Sequence, residues 1–230
     1  MRRRDFLSLS ASSVGGLLVY SADQKAFAAL AQQKTQPSAL RFFNESEARI
    51  VVAATSRIFP NDESGPGAKE ADVVTYIDRQ LAGPYGHDCD RYTEPPFEDG
   101  PPEFGYQGKA SPREIYREGL KQLSGFDRLS DAEQGAALKQ IEGSLFFTLL
   151  RKHTIEGMFC DPMHGGNRNM VGWQLIGFPG PQMSYYADID KHYGEAFRPK
   201  PVSLRQVTGK KPHLMEDEKC DKAHPGEENK

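Results

Sequence analysis

Apolar positions along this chain recur at helical spacing in five stretches, each bounded by residues that start or stop helices. Ile50, Val51, Ala54 and Ile58 share one face behind Asn44, which has Glu47 three residues on, and Pro60 ends the run. Val73, Val74, Ile77 and Leu81 line a second stretch, from about Ala68 to Leu81, that stops at Gly83-Pro84. Between the two lies Asn61–Gly67, a run of turn formers. Ser111-Pro112-Arg113-Glu114 combines a capping box with proline at the first helical position and predicts a helix through Leu123. Ser130-Asp131-Ala132-Glu133 repeats the box and predicts one to about Ile141. Ser144–Phe159 is the most apolar stretch of the body and predicts a central core helix. No stretch sustains the period-two alternation of a half-buried strand. The expectation is a mainly α protein: one compact helical domain with long Gly/Pro-rich loops.

The irregular stretches carry as much information as the helices. Gly83–Ala110 mixes five prolines with Tyr85, Tyr92, Phe97, Phe104 and Tyr106. A loop this long is functional or disordered, and its aromatics argue that it is covered, as a loop draped over a partner would be. Asp161–Gly180 is dense in glycine and holds the only tryptophan, Trp173. It reads either as a structural loop closed around that ring or as a surface that holds another protein. From Arg198 onward the chain turns charged and reads as a flexible tail. The expected organisation is therefore residues 1–31 as a leader, 32–40 as a linker, 41–197 as the helical body and 198–230 as the tail.

The leader is the most specific feature. Arg3 and Arg4 precede Phe6-Leu7, a mildly apolar run reaches Tyr20, and Ala26-Phe27-Ala28 or Ala29-Leu30-Ala31 offers a small-x-small cleavage site. Paired arginines in this setting predict a twin-arginine export signal, which carries proteins that are already folded. The apolar run is about 15 residues, short of the roughly 20 that span a bilayer. The expected location is the periplasm.

Composition excludes more than it assigns. A net charge of −3 gives no reason to expect nucleic-acid binding. A mean hydropathy of −0.64 fits long solvated segments. Three cysteines leave one thiol over after any single bridge: Cys89 and Cys160 within the chain, or Cys160 to a partner subunit, are both open. Cys220 lies in the charged tail. No Cys-x-x-Cys-His, P-loop, His-Glu-x-x-His or Gly-x-Ser-x-Gly occurs, and in Gly65-Pro66-Gly67 the place of a third dinucleotide-binding glycine holds Glu70. His153 reads as a surface or satisfied core histidine, and His164, before Gly165-Gly166, as a turn residue. No catalytic, cofactor-binding or metal-binding residue is expected in this chain.

The series Gly165-Gly166-Asn167, Gly172-Trp173 and Gly177-Phe178-Pro179-Gly180 completes a pattern begun by Arg57-Ile58-Phe59-Pro60, Gly65-Pro66-Gly67-Ala68, Ala71-Asp72 and Tyr76-Ile77-Asp78. From about Leu40 to Phe197 the chain resembles the gluconate 2-dehydrogenase subunit 3 family, the small (gamma) subunits of membrane-associated, FAD-dependent sugar and sugar-acid dehydrogenases. The resemblance implies a non-catalytic subunit that escorts and stabilises a large FAD-bearing partner of the glucose–methanol–choline type. It also implies a multihaem cytochrome c, with FAD and haem c in those partners, and a complex held at the inner membrane. The alternatives are a self-sufficient small periplasmic oxidoreductase and an exported binding protein. Residues expected at a partner interface are Cys160, Gly165, Gly166, Asn167, Trp173 and Phe178 in one loop, and Tyr92, Phe97 and Phe104 in the other.

Overall fold

The computed structural model describes residues 39–91, 95–98, 100–182, 186–189 and 191–209. The expected leader residues Arg3, Arg4, Phe6 and Leu7, and also Tyr92 and Cys220, lie outside them. Helix α1 (Glu45–Ile58) opens on a complete capping box: the Asn44 side chain accepts from the Glu47 N–H, and the Glu47 carboxylate accepts from the Asn44 N–H. Helix α3 (Pro112–Gln122) starts on the same device at Ser111, and α4 (Asp131–Gln140) on the box at Ser130. Helix α5 (Leu145–Phe159) is capped by Ser144 and packs against α1, α3, and α2 (Val73–Ala82), which makes it the central helix its composition predicts. Val51, Ile77, Leu81, Tyr116, Leu150 and Met158 fill the core between them. Among the described residues there is no strand, only an isolated bridge between Asp62 and Gly65.

Helix α2 starts five residues later than its hydrophobic pattern suggests. Residues 67–72 are used instead to fold the chain back. The Ala68 N–H donates to the Phe59 carbonyl at 2.9 Å, and Gly67 donates to the Glu70 side chain at 3.0 Å. Asp72 then turns left-handed at φ 57°, and Arg168 pairs with its carboxylate.

Two of the buried polar side chains tie distant segments together across this core. Asp78, on α2, is buried and accepts three backbone N–H groups, from Arg41 at 2.7 Å and from Phe42 and Phe43 at 2.9 Å. His153, on α5, lies between two hydroxyls, Tyr85 on Nε2 and Tyr116 on Nδ1, both at 2.8 Å. Burial favours the neutral ring, in which one nitrogen donates to a hydroxyl and the other accepts from one, so both are satisfied. The reading of His153 as a satisfied core histidine holds.

Beyond α5 the chain forms α6 (Val171–Ile176), α7 (Tyr186–Ile189) and α8 (Leu204–Thr208). The flexible tail expected from Arg198 thus contains an ordered piece. Ser203 and Gln206 cap α8 reciprocally, the Val202 N–H donates to the Pro179 carbonyl at 3.1 Å, and the Leu204 N–H donates to Asp161 Oδ2 at 2.7 Å. The Gly83–Ala110 loop is gathered by Arg91, which reaches the Asp88 carboxylate and the Tyr106 and Gly108 carbonyls and lies over the Tyr106 ring.

The cysteines correct one expectation. Cys89 is in a disulfide, whereas Cys160 is a free thiol, so the pairing of Cys89 with Cys160 is not formed. The physical reason is local. Cys160 caps α5, and its Sγ is turned back onto its own helix, 3.7 Å from the Gly157 carbonyl.

Candidate functional site

The residues that carry the glycine-rich pattern converge on the C-terminal end of α5. Asn167 is wholly buried and left-handed at φ 45°. Its Nδ2 donates to the Cys160 carbonyl at 2.8 Å, its Oδ1 accepts from the Gly172 N–H at 2.8 Å, and its own N–H donates to the Gly157 carbonyl at 2.7 Å. One side chain therefore ties the end of α5 to the start of α6. At Gly172 a Cβ would run into the Met158 carbonyl, and at Gly166 into the Gly157 carbonyl, so these two glycines are set by backbone approach. Trp173 is buried against Phe178 edge to face and donates its indole N–H to the Phe159 carbonyl at 2.7 Å.

This geometry divides the expected interface residues. Gly166, Asn167 and Trp173 are buried and build the loop. Phe178 is exposed, as are Phe97 and Phe104 in the proline-aromatic loop, whereas Gly165 and Cys160 are half-buried. The surface that the glycine-rich loop offers is thus Ile176, Gly177 and Phe178 rather than its polar signature. Ile176, Leu204 and Val207 went unread in the sequence, where a short apolar run beside a charged tail gives no periodic signal.

Beside the loop lies a groove of about 590 Å³, lined by residues that include Tyr76, Gln80, Ile155, Phe159, Cys160 and Asp161. The Tyr76 hydroxyl donates to Glu156 Oε2 at 3.1 Å, and burial together with that carboxylate pushes its ionisation up. Burial also pushes the Cys160 thiol up to about 12. A reactive cysteine needs its thiolate near neutrality, and this one is held as the thiol. His164 is exposed at the groove's rim. Asp161 is engaged twice, by the Met163 N–H at 3.0 Å and by the Leu204 N–H. No group of three or more His, Cys, Asp or Glu suited to a metal ion occurs among the described residues, and no helix among them is long and apolar enough to cross a membrane. The groove is thus lined by polar and apolar side chains together, and Tyr76, Glu156 and Asp161 among its polar groups are already engaged within the protein.

Compared with known protein families, residues 45–180 match the family described as gluconate 2-dehydrogenase subunit 3. That span covers more than half of the chain and includes both the α1–α2 turn and the glycine-rich loop. No curated protein and no solved structure matches the chain.

Proposed function

The chain belongs to the gluconate 2-dehydrogenase subunit 3 family, and on that premise we propose that it is the non-catalytic small subunit of an FAD-dependent gluconate or sugar dehydrogenase complex. In this reading it escorts the flavoprotein subunit through twin-arginine export and stabilises it in the periplasm. FAD sits in that large subunit and haem c in a cytochrome subunit. Both are brought to the membrane as one complex.

The inward closure of the glycine-rich loop supports a scaffold over a catalyst. Asn167, Trp173 and the close-approach glycines spend their hydrogen bonds and packing on the fold itself, and the neighbouring Cys160 is held as an unreactive thiol. A flavoprotein folds around FAD where FAD is made, so one that works outside needs a route for folded cargo. A paired-arginine leader on a tightly bound subunit supplies it, and binding only the native partner stabilises that partner by mass action.

Changing Arg3 and Arg4 together to Lys tests the escort. Dehydrogenase activity is expected to leave the periplasmic fraction and accumulate in the cytoplasm. Undiminished periplasmic activity in the double variant would overturn it.

A further inference from the structure

A disulfide needs two sulfurs, and the chain has three cysteines, Cys89, Cys160 and Cys220. Cys89 is bonded, and Cys160 is a free thiol. The second sulfur of the bridge is therefore not that of Cys160, and Cys220, outside the described residues, is the one left in the chain. Cys89 stands on an anchored turn. Its N–H donates to the Pro84 carbonyl at 3.1 Å. In the same turn the Gly86 N–H donates to the Gln80 carbonyl of α2 at 3.1 Å, and the Gly86 carbonyl accepts from the Arg113 N–H of α3 at 3.3 Å. Arg91 holds the neighbouring Asp88 carboxylate, and Cys89 itself is half-buried rather than enclosed.

The described chain approaches Cys220 through α8, where Val202 and Leu204 are fastened to Pro179 and Asp161. Cys220 lies eleven positions beyond Gly209, the last described residue. Eleven residues span at most about 40 Å, more than the diameter of about 30 Å of a small domain, so the length permits closure onto Cys89. A bridge between the two closes a loop of about 130 residues that contains α3 to α8. A cross-link over so long a loop removes more freedom from the unfolded chain than a short one does.

We propose that Cys89 and Cys220 form an intramolecular disulfide that clamps the C-terminal segment onto the turn after α2, and that the bridge closes only after export. Its formation joins the two sulfurs, and two protons and two electrons pass to a donor disulfide, whose S–S bond breaks to give a dithiol. Cys160 takes no part, its sulfur being turned onto the Gly157 carbonyl of its own helix. The pairing stands on the cysteines alone. The timing rests on the export reading above, because a reducing cytoplasm keeps thiols free and the folded chain meets a disulfide donor outside it.

The test is peptide mapping of the full chain, isolated from its own cells with free thiols blocked and digested with trypsin without reduction. Residues 80–91 should be found joined to residues 220–222, a pair that dithiothreitol separates. Dithiothreitol should also lower the Trp173 fluorescence melt by about 10 °C in the unchanged chain and in Cys160→Ser, and leave Cys220→Ser, which starts low, unmoved. Cys89 joined to residues 153–168, which carry Cys160, or to a partner subunit overturns the pairing. So does a Cys89 thiol that stays free after treatment with oxidised glutathione. A melt that dithiothreitol does not move, in a chain that carries the linked pair, overturns the clamp. The variant with Arg3→Lys and Arg4→Lys, held in the cytoplasm, should carry both thiols free and close the bridge when oxidised glutathione is added; a bridge already present there overturns the timing. Export of that variant defeats the escort reading, while the peptide map still decides the pairing, so the two failures are distinguishable.

Discussion

At the scale of single residues, the buried polar groups decide how the protein responds to its medium. Burial, with Lys152 alongside, lowers the His153 ionisation from 6.5 to about 4. Between those values the unfolded chain binds a proton that the folded chain refuses, so stability rises with pH across this window. His153 leaves stability undiminished above about pH 6.5 and costs progressively more as pH falls towards 4, about 3 kcal/mol in all by the usual conversion of pKa shifts. Urea unfolding followed by Trp173 fluorescence should show this loss already between pH 6.5 and 5, before carboxylates titrate. His153→Gln should remove that part of the slope; an unchanged slope would contradict the assignment. Asp78 was not legible as a core residue, and for His153 the core was one of two readings left open. His153 follows Arg151 and Lys152, which are exposed, so its neighbours disguised its face. Asp78 looks like an ordinary helical charge, although it lies three residues before the buried Leu81 on the apolar stripe.

The helical elements were legible where their signals are local and fail where the cause is distant. Asn44, Ser111, Ser130 and Ser144 mark four helix starts because a cap needs only the next three residues. The start of α2 was misread since the Ala68–Asp72 stretch answers to Phe59 and Arg168, which no window of the sequence contains. The glycine-rich loop gave away its density of turns but not that its polar residues point inward. That packing makes a further comparison. Gly172→Ala should cost about 2–4 kcal/mol, because a methyl group meets the Met158 carbonyl and α6 must move off α5. Gly177→Ala meets no atom within 4 Å and pays only for its left-handed φ of 68°, about 1–2 kcal/mol. Thermal melts of the two variants should rank in that order, and equal losses would mean that the α5–α6 approach relaxes freely.

At the scale of the whole molecule, the helical character of the described residues was readable from periodicity, and the family from residues scattered between positions 57 and 180. Which apolar side chains remain uncovered was not readable, because exposure is a property of the finished packing. A subunit that exposes Phe97, Phe104, Ile176 and Phe178 should gain stability from its partner. The transition of the isolated chain is expected at a lower temperature than that of the same chain within the complex, and the gap should widen as partner concentration rises. Calorimetry of the two preparations checks this; coincident transitions would show that the partner does not couple to the fold.

Asp78 has one more consequence. By gripping the backbone at residues 41–43 it rivets the entry of α1 to a helix that begins thirty residues later. A pull on the backbone at Arg41 is therefore met by three hydrogen bonds to one carboxylate before it reaches the first turn of α1, and Asp78→Asn, which removes the charge, should let that entry fray ahead of the core.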